Sequence, residues 1–327
     1  SSFGSGARCA SSWCRAFLGV SGMAWQLLPL ALCVATAGSA EARGACAGHG
    51  QARDGCGAQG AEPRELVLLQ QASVRATSVQ LARAPAISSP SAGSVLYLVK
   101  AYSGYYGTRL HALMQTWGSL LKESSLLVVG DRESPDMPVH TAPGCASDST
   151  HGLTCRVGYG LTLAARHPGN WSWVFLVDDD HYVRTARLEE ALAELDARKP
   201  VAAGCYGCGR PQYCNGRGGF CGGCGYALSR PAVAALVGES VESFRELHSS
   251  LSHSSLSDGR EDMATSCALI QRVPNLQIAS LEGLVAEPPD VSRLREEASS
   301  EKALLWHHVP PDQMLEIHRA LSRVRSP

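Results

Sequence analysis

Three consecutive aspartates, Asp178, Asp179 and Asp180, follow the apolar run at residues 173–177 (WVFLV), which has the composition of a buried β-strand. A strand that ends in a carboxylate cluster supplies the hard oxygen ligands of Mg²⁺ and Mn²⁺, and such an ion suits a diphosphate. Open α/β sheets also bind their ligands outside the carboxyl ends of their strands. The triplet therefore predicts a metal site, although a solvated acidic turn would have the same sequence.

The elements that would position this triplet alternate between strand-like and helix-like patterns. Short apolar runs rich in β-branched residues are separated by segments in which apolar residues recur at helical spacing. This alternation predicts an α/β fold with a mostly parallel central sheet flanked by helices. The predicted strands lie at residues 94–100, 125–129 and 173–177, and residues 222–228 are predicted to form a turn that leads into a further strand. The predicted helices lie at 108–121, 156–167, 188–195, 231–237 and 262–273.

The composition excludes one class of partner. The 327 residues carry a formal net charge of −1, with Lys and Arg interspersed among Asp and Glu. Because no basic face or block stands out, a nucleic acid is not an expected partner. Hydrophobic residues make up 45% of the chain, which is enough for the core of one large α/β domain or two smaller ones.

The chain has 13 cysteines, more than an ordinary cytosolic enzyme carries. The two explanations are disulfides formed in an oxidising compartment and metal ligation. The pairs Cys205-x2-Cys208 and Cys221-x2-Cys224, with Cys214 between them, have a spacing similar to that of a zinc ribbon. We favour disulfides, and a zinc-binding interaction module is the alternative.

The first 40 residues are interpreted as a signal peptide or a signal anchor. Residues 16–40 contain no charged side chain, and Arg8 and Arg15 precede them. An uncharged segment of this length behind basic residues is long enough to cross a bilayer, and the small residues near its end also suit a cleavable signal. Both interpretations direct the rest of the chain into the secretory pathway.

A flexible stem and linker are predicted at residues 41–93, because this segment is rich in Gly and Ala and ends in a proline-containing stretch. The folded α/β domain is predicted at residues 94–310, and a helix or tail at 311–327. Every candidate site residue falls within the predicted domain.

Six short motifs follow one another along this domain. They are VLYLVKAYSGYYGTRLHALMQTWG (95–118), CASDSTHGLTC (145–155), WVFLVDDDHYV (173–183), GGCGYALSR (222–230), EDMATSC (261–267) and WHHV (306–309). In this order and at this spacing they resemble the Fringe-like β-1,3-glycosyltransferases, which include the Fringe enzymes and the core 1 galactosyltransferases. The resemblance covers roughly residues 94–310.

The resemblance implies a GT-A-like fold and an inverting transferase that moves a sugar from a UDP-sugar donor to a glycan or glycoprotein hydroxyl in β-1,3 linkage. It also implies a divalent metal, Mn²⁺ or Mg²⁺, at the donor diphosphate. With the N-terminal segment, it implies a type II membrane protein of the Golgi or ER lumen, held at the membrane by that segment, or a secreted protein if the signal is cleaved. An inactive relative that only binds nucleotide-sugar or glycan is a further alternative.

The resemblance assigns the metal to three residues. Asp178 and Asp180 would flank the ion, with Asp180 the expected direct ligand, and His307 of the WHHV motif would complete the shell. A histidine among carboxylates favours Mn²⁺. Asp179 is expected to contact the ribose of the donor instead.

The remaining candidate residues are expected to bind the nucleotide or to act as the base. Thr108 and Arg109 match the segment after the first strand that binds the nucleotide, and Arg suits phosphate because its donors form a planar fork. Asp131, after the second strand, is expected to hold the uracil or ribose. Asp262 matches the catalytic acidic position and would take the proton of the acceptor hydroxyl, with Glu261 as the alternative base.

The glycines of the fourth motif are expected to let the backbone approach a ligand, and Tyr226 to stack on the acceptor sugar. Cys145 and Cys155 resemble a disulfide of the family, and Cys267 is expected to bridge back to an earlier cysteine. Residues 170–172 (NWS) form an N-glycosylation sequon.

Overall fold

The computed structural model describes residues 94–145, 149–208, 213–297 and 302–324. The predicted signal segment and the predicted stem and linker lie outside the described residues. Within the described part of the chain, no helix is both long enough and apolar enough to span a membrane.

A seven-stranded sheet forms the centre of the domain, and two smaller sheets lie outside it. The strands of all three sheets are β1 (Val95–Lys100), β2 (Leu126–Gly130), β3 (Val139–Thr141), β4 (Trp173–Asp178), β5 (Tyr182–Val183), β6 (Val201–Gly204), β7 (Tyr206–Cys208), β8 (Gly219–Phe220), β9 (Tyr226–Ser229), β10 (Gln277–Ser280), β11 (Leu284–Val285) and β12 (Leu305–Trp306). The central sheet has the order β10-β6-β9-β4-β1-β2-β3, and β9 runs antiparallel to both of its neighbours while the other pairs are parallel. Strands β5, β11 and β12 form a small sheet beside it, and β7 pairs with β8.

Helices cover both faces of the central sheet. They are α1 (His111–Gln115), α2 (Thr150–Arg166), α3 (Thr185–Ala193), α4 (Arg230–Val237), α5 (Val241–Ser252), α6 (Glu261–Arg272), α7 (Val291–Glu297) and α8 (Pro311–Val324). The predicted α/β class, with a mostly parallel central sheet flanked by helices, is confirmed.

Strand β1 shows how the sheet divides the core into two layers. Successive side chains of a strand point to opposite faces. Leu96 and Leu98 pack in the layer that contains α2, α4, α5 and α6, whereas Val95, Tyr97 and Val99 pack in the layer that contains α1, α3 and α8. All six residues of β1 are buried, as expected for a central parallel strand covered on both faces.

The predicted helix at residues 108–121 is broken into three pieces. A π-helical turn at Tyr106–Leu110 leads into the short α1, and a 3₁₀ turn at Trp117–Leu120 follows. The break falls at Thr116, whose φ and ψ of −116° and −113° are not helical. The backbone turns there because Trp117 is fully buried and its indole N–H donates to the carbonyl of His181 at 2.8 Å. This bond ties the segment to the residue after the aspartate triplet.

A buried histidine on α5 makes the stability of this fold sensitive to pH. His248 is buried between α2 and α6, and its Nε2 lies 2.9 Å from Thr265 Oγ1. Burial lowers the pKa of His248 from 6.5 to about 4. Because the unfolded state then binds the proton more readily, the free energy of unfolding falls as the pH drops from about 6.5 towards 4.

We expect the His248 imidazole to account for a loss of about 2 kcal/mol in the free energy of unfolding between pH 7 and pH 5. Chemical denaturation of the wild type and of His248→Gln at several pH values in this range measures the loss. The glutamine variant has no imidazole to protonate, so its free energy of unfolding should fall less than that of the wild type. The exposed His253 provides the control, since His253→Gln should keep the wild-type slope. Parallel pH profiles for wild type and His248→Gln would contradict the expectation.

Candidate functional site

The carboxyl ends of β1 and β4 and the first residue of α6 meet in a buried ion-pair group. Lys100 lies opposite Asp178 in the register of the two strands. Its Nζ contacts Asp178 Oδ1 at 3.2 Å and Glu261 Oε1 at 2.5 Å. Burial alone would lower the pKa of Lys100, but the two carboxylates raise it. Lys100 is therefore a cation that holds the aspartate triplet against the start of α6.

Glu261 is buried in this group rather than exposed to a substrate. Burial raises its pKa to about 7, although Lys100 acts in the opposite direction. The Tyr226 hydroxyl also donates to Glu261 Oε2 at 3.4 Å. Sequence reasoning considered Glu261 only as an alternative base and missed Lys100. The available signal was a lysine at the end of an otherwise apolar strand (VLYLVK), where one charged side chain requires a buried partner.

Two of the aspartates and two histidines form a cluster that fits a divalent cation. Ligand atoms of Asp178, Asp180, His181 and His307 all lie within 4.8 Å of one another. Asp180 Oδ1 is 3.3 Å from His307 Nε2. Burial alone would raise the pKa of Asp180, but its contact with His307, together with His181 and Arg109, lowers it below its usual range. The carboxylate and imidazole donors suit Mn²⁺ or Mg²⁺.

His181 supports this cluster and was not singled out from the sequence. Its Nδ1 accepts from the backbone N–H of Asp178 at 3.0 Å, and its Nε2 lies 3.2 Å from the carbonyl of Gly223. The ring is fully buried and stacks on His307 with 4.2 Å between centroids. Burial, followed by the neighbouring His307, lowers the pKa of His181 to about 4. Both nitrogens of His181 are engaged, so His181 orients its neighbours, and Asp178, Asp180 and His307 remain as the candidate donors.

Arg109 brings a positive charge to the other side of the triplet. Its Nη1 lies 3.2 Å from Asp180 Oδ2 and 3.8 Å from Asp179 Oδ1, and its guanidinium stacks over the ring of Tyr105 at 4.3 Å. The π-helical turn at Tyr106–Leu110 carries this arginine, and such turns are frequent at functional sites. About a third of the side chain is exposed, so its guanidinium is accessible to an anionic ligand.

Asp179 lies beneath Arg109 and is nearly buried. Burial raises its pKa to about 8, and the carboxylates of Asp180 and Asp178 add to this shift. Its Oδ2 is buried and forms no hydrogen bond within the described part of the chain. A buried carboxyl oxygen without a hydrogen-bond partner is costly, so this oxygen is suited to form a hydrogen bond with a hydroxyl such as that of a ribose. Its contact with the donor nevertheless stays a prediction.

Asp262 lies at the start of α6 and faces the glycine turn before β9. Its Oδ2 accepts from the backbone N–H of Gly222 at 2.7 Å, and its Oδ1 from that of Met263 at 2.8 Å. A Cβ on Gly222 would stand 2.9 Å from the Asp262 Cβ, and one on Gly223 would stand 2.9 Å from His307 Nδ1. The glycines therefore let one turn touch both the candidate base and the candidate metal ligand.

Asp131 and Thr108 have local partners. The buried carboxylate of Asp131 accepts from the backbone N–H of Ser103 at 2.7 Å and from its hydroxyl at 2.8 Å, and so holds the loop after β1. Thr108 is exposed on the same turn as Arg109, and its hydroxyl donates to the carbonyl of Tyr105 at 3.3 Å. Their contacts with a nucleotide remain predictions.

The expected stacking of Tyr226 on an acceptor sugar is wrong. This side chain is fully buried in β9, where it stacks on Phe220 with 5.6 Å between centroids. Its side chain packs in the core layer that contains α2 and α6, and Gly225, with a φ of 65°, turns the chain immediately before it. A left-handed turn of this kind favours glycine.

The disulfides agree with an oxidising compartment and count against a zinc ribbon. Cys145 bonds to Cys155, and Cys267 bridges back to Cys214. Cys221 is also disulfide-bonded, so its sulfur is not available as a thiolate ligand. A four-cysteine site built on both Cys-x2-Cys pairs is thereby excluded.

A model of the Fringe-like family matches residues 91–273, more than half of the chain. The chain belongs to the Fringe-like family. The matched segment of this Fringe-like chain contains the aspartate triplet, the glycine turn and the start of α6, whereas His307 lies beyond it. The sheet architecture agrees with the GT-A-like fold expected from the motifs.

The individual proteins that resemble this chain have low sequence identity to it. The chain is 26% identical to chondroitin sulfate synthase 3 of Mus musculus over 191 residues, which are 54% of this chain. It spans only 21% of the length of that relative. Among solved structures, it is similar to a glycosyltransferase involved in the glycosylation of the major capsid of PBCV-1, with 11% identity, a TM-score of 0.40 and coverage of 69% of this chain and 99% of that one. It is also similar to the glycosyltransferase GlyE of Streptococcus pneumoniae TIGR4, with 15% identity, a TM-score of 0.38 and coverage of 67% and 56%. At these TM-scores the two likenesses carry no argument about function.

Proposed function

We propose that this protein is an inverting, metal-dependent glycosyltransferase that moves a sugar from a UDP-sugar to a glycan or glycoprotein hydroxyl in β-1,3 linkage. One observation carries the proposal. The glycine turn bonds to Asp262 through the Gly222 N–H and packs Gly223 against His307, which itself contacts Asp180. A candidate base and a candidate metal ligand set therefore border the same glycine turn, and the transfer of a sugar from a diphosphate requires such groups close together.

The donor side of this candidate site is assigned to the triplet and its partners. Asp178, Asp180 and His307 would hold Mn²⁺ or Mg²⁺, which as a Lewis acid stabilises the charge that develops on a departing diphosphate. Arg109 would contact a phosphate oxygen through its planar guanidinium. Asp179 would form a hydrogen bond with a ribose hydroxyl at the buried oxygen that has no partner among the described residues.

The acceptor side is assigned to Asp262. Its carboxylate would accept the proton of the acceptor hydroxyl as that oxygen bonds to the anomeric carbon and the bond from that carbon to the UDP oxygen breaks. Attack from the face opposite the leaving group inverts the anomeric centre. The two backbone N–H groups that bond to Asp262 keep its carboxylate in one orientation before the acceptor arrives.

The surrounding organisation completes the proposal. Residues 94–310 would form the transferase domain, with the segment at 311–327 continuing it, since α8 buries Met314 and Ile317 in the core layer of α1 and α3. The disulfides support a location in the Golgi or ER lumen. The membrane attachment predicted for residues 1–40 and the stem predicted for 41–93 belong to the same proposal.

A screen of UDP-sugars tests the proposed reaction. The full chain, produced in a secretory system, is incubated with each UDP-sugar with and without Mn²⁺, and release of UDP is measured. Manganese-dependent hydrolysis of one donor supports the transferase. Manganese-dependent UDP binding without hydrolysis of any donor would indicate an inactive relative, and one tightly held zinc ion per chain without UDP binding would indicate an interaction module.

The His307→Gln variant tests the proposed ligand set. We expect it to weaken the binding of Mn²⁺ at least about tenfold, because an imidazole ligand is lost while the carboxylates remain. Isothermal titration of the metal alone gives this value without reliance on turnover. The matched control is His140→Gln, which changes an exposed histidine on the edge strand β3. Equal Mn²⁺ affinities of wild type and His307→Gln would remove His307 from the site.

A further inference from the structure

The sequon at residues 170–172 lies at the end of the domain opposite the candidate active site. Asn170 is exposed in the turn before β4, whereas the aspartate triplet follows the carboxyl end of the same strand. The six residues of β4 separate these ends by about 17 Å, at roughly 3.3 Å per residue. A group attached to Asn170 therefore does not obstruct the candidate active site.

The turn that carries Asn170 is held in place by its neighbours. The Arg230 backbone N–H donates to the carbonyl of Ser172 at 2.9 Å, and its guanidinium donates to the carbonyl of Gly169 at 3.3 Å. On the other side, the Ser172 N–H donates to the carbonyl of Ser94 at 3.0 Å. The turn therefore presents Asn170 to solvent in a defined direction.

A cleft of about 760 Å³ borders this turn. Trp171, which follows Asn170 directly, forms part of its wall, and the Arg230 guanidinium lies 5.0 Å from the centre of the indole ring. Leu195 and Pro231 add apolar surface, and the exposed Arg198, which forms an ion pair with Asp196, adds a polar group at the rim. An apolar wall with a few polar groups is typical of a site for a small ligand such as a sugar ring.

We propose that Asn170 carries an N-linked glycan whose first N-acetylglucosamine lies on this cleft. Asn170-Trp171-Ser172 is the only sequon in the printed sequence, which contains just three asparagines. The disulfides agree with an oxidising compartment, and N-linked glycans are added in such a compartment. The attachment point is adjacent in the chain to the cleft wall, so the first sugar reaches the cleft without a linker. Bound there, it covers the partly exposed apolar surface of Leu195 and Pro231 and stabilises the fold.

Intact mass measurement of the chain secreted from eukaryotic cells tests the attachment. We expect one N-linked glycan on the wild type, released by peptide N-glycosidase F and missing from Asn170→Gln. The control Asn275→Asp, at an exposed asparagine outside any sequon, should keep the glycan; its φ of 56° is tolerated by aspartate. A secreted wild-type chain without a glycan on Asn170 overturns the proposal.

Thermal unfolding tests whether the first sugar is bound in the cleft. Endoglycosidase H leaves one N-acetylglucosamine on the asparagine, whereas peptide N-glycosidase F removes the whole glycan and leaves aspartate. We expect the trimmed protein to keep the Tm of the glycosylated form, and the fully deglycosylated protein to lose about 2–4 °C and to match Asn170→Asp. Equal Tm values for the trimmed and deglycosylated proteins overturn the binding of the sugar to the cleft. Neither measurement depends on transferase activity.

Discussion

Asp262→Asn should lower transferase turnover by about 10²- to 10⁴-fold, the range that a general base contributes. The asparagine still accepts a hydrogen bond from the Gly222 N–H, so the glycine turn and the donor side keep their geometry. Asparagine has no free carboxylate to take the proton of the acceptor hydroxyl. Turnover is measured with the donor found in the UDP-sugar screen and reports the loss of the base. The affinity for UDP and Mn²⁺ is measured separately and reports the geometry of the donor side; it should stay within about threefold of wild type.

Two further variants make this result specific. Asp258→Asn changes an exposed aspartate in the loop just before α6, and its turnover should remain close to that of wild type. Glu261→Gln distinguishes the alternative base. If Glu261→Gln loses turnover at unchanged stability while Asp262→Asn retains it, the base is Glu261 and the assignment of Asp262 is wrong.

Lys100→Met should lower the free energy of unfolding by about 3–5 kcal/mol, the cost of removing one partner from a buried ion pair. The methionine fills a similar volume but leaves Asp178 and Glu261 without the cation between them. Both carboxylates would then be buried or partly buried with no compensating charge. Urea denaturation at pH 7 measures the change, and the exposed Lys122→Met provides a control expected to lie within about 0.5 kcal/mol of wild type.

The double variant Lys100→Met, Glu261→Gln separates the charge from the packing of the lysine. Because one carboxylate is then neutral, we expect the double variant to recover at least about 1 kcal/mol of the free energy of unfolding that Lys100→Met loses. An additive result, in which the second change lowers stability further, would show that the lysine acts through its packing. A wild-type stability for Lys100→Met itself would show that the ion-pair group contributes nothing to the fold.

The α/β class could be predicted from sequence because buried parallel strands have a distinctive pattern. The apolar run of β4 and the triplet after it could be recognised from the local composition alone, and the rule that ligands bind at the carboxyl ends of strands indicated the candidate site. The helix at 108–121 was predicted less well, because the burial of Trp117 and its bond to His181 break a pattern that is helical by spacing alone. The antiparallel direction of β9 was likewise not predicted, since direction depends on the connection and not on the strand residues.

The residues of the candidate site also divide into those that the sequence pattern predicted and those that it did not. Asp178, Asp180 and His307 were predicted as ligands from residue type and motif order, and the structure brings their ligand atoms within 4.8 Å of one another; their binding of a metal stays a prediction. Tyr226 was assigned to the acceptor because an aromatic beside glycines suits a sugar, but its side chain is buried in the core layer that contains α2 and α6. Lys100 and His181 were missed because their roles depend on partners far along the chain. Lys100 and Glu261 are 161 residues apart, and no local pattern relates them.

The amino-acid sequence by itself determined which strands are buried, where carboxylates leave the sheet, that many cysteines require an oxidising compartment or a metal, and which family the motifs resemble. Only the tertiary structure decided that Lys100 joins β1, β4 and α6, that the glycine turn touches both Asp262 and His307, and that Cys221 is not a metal ligand. The physical reason is that burial and residue type are local properties of a chain. The distance between two charged or polar groups depends on strand register and helix packing, which form only when distant segments meet.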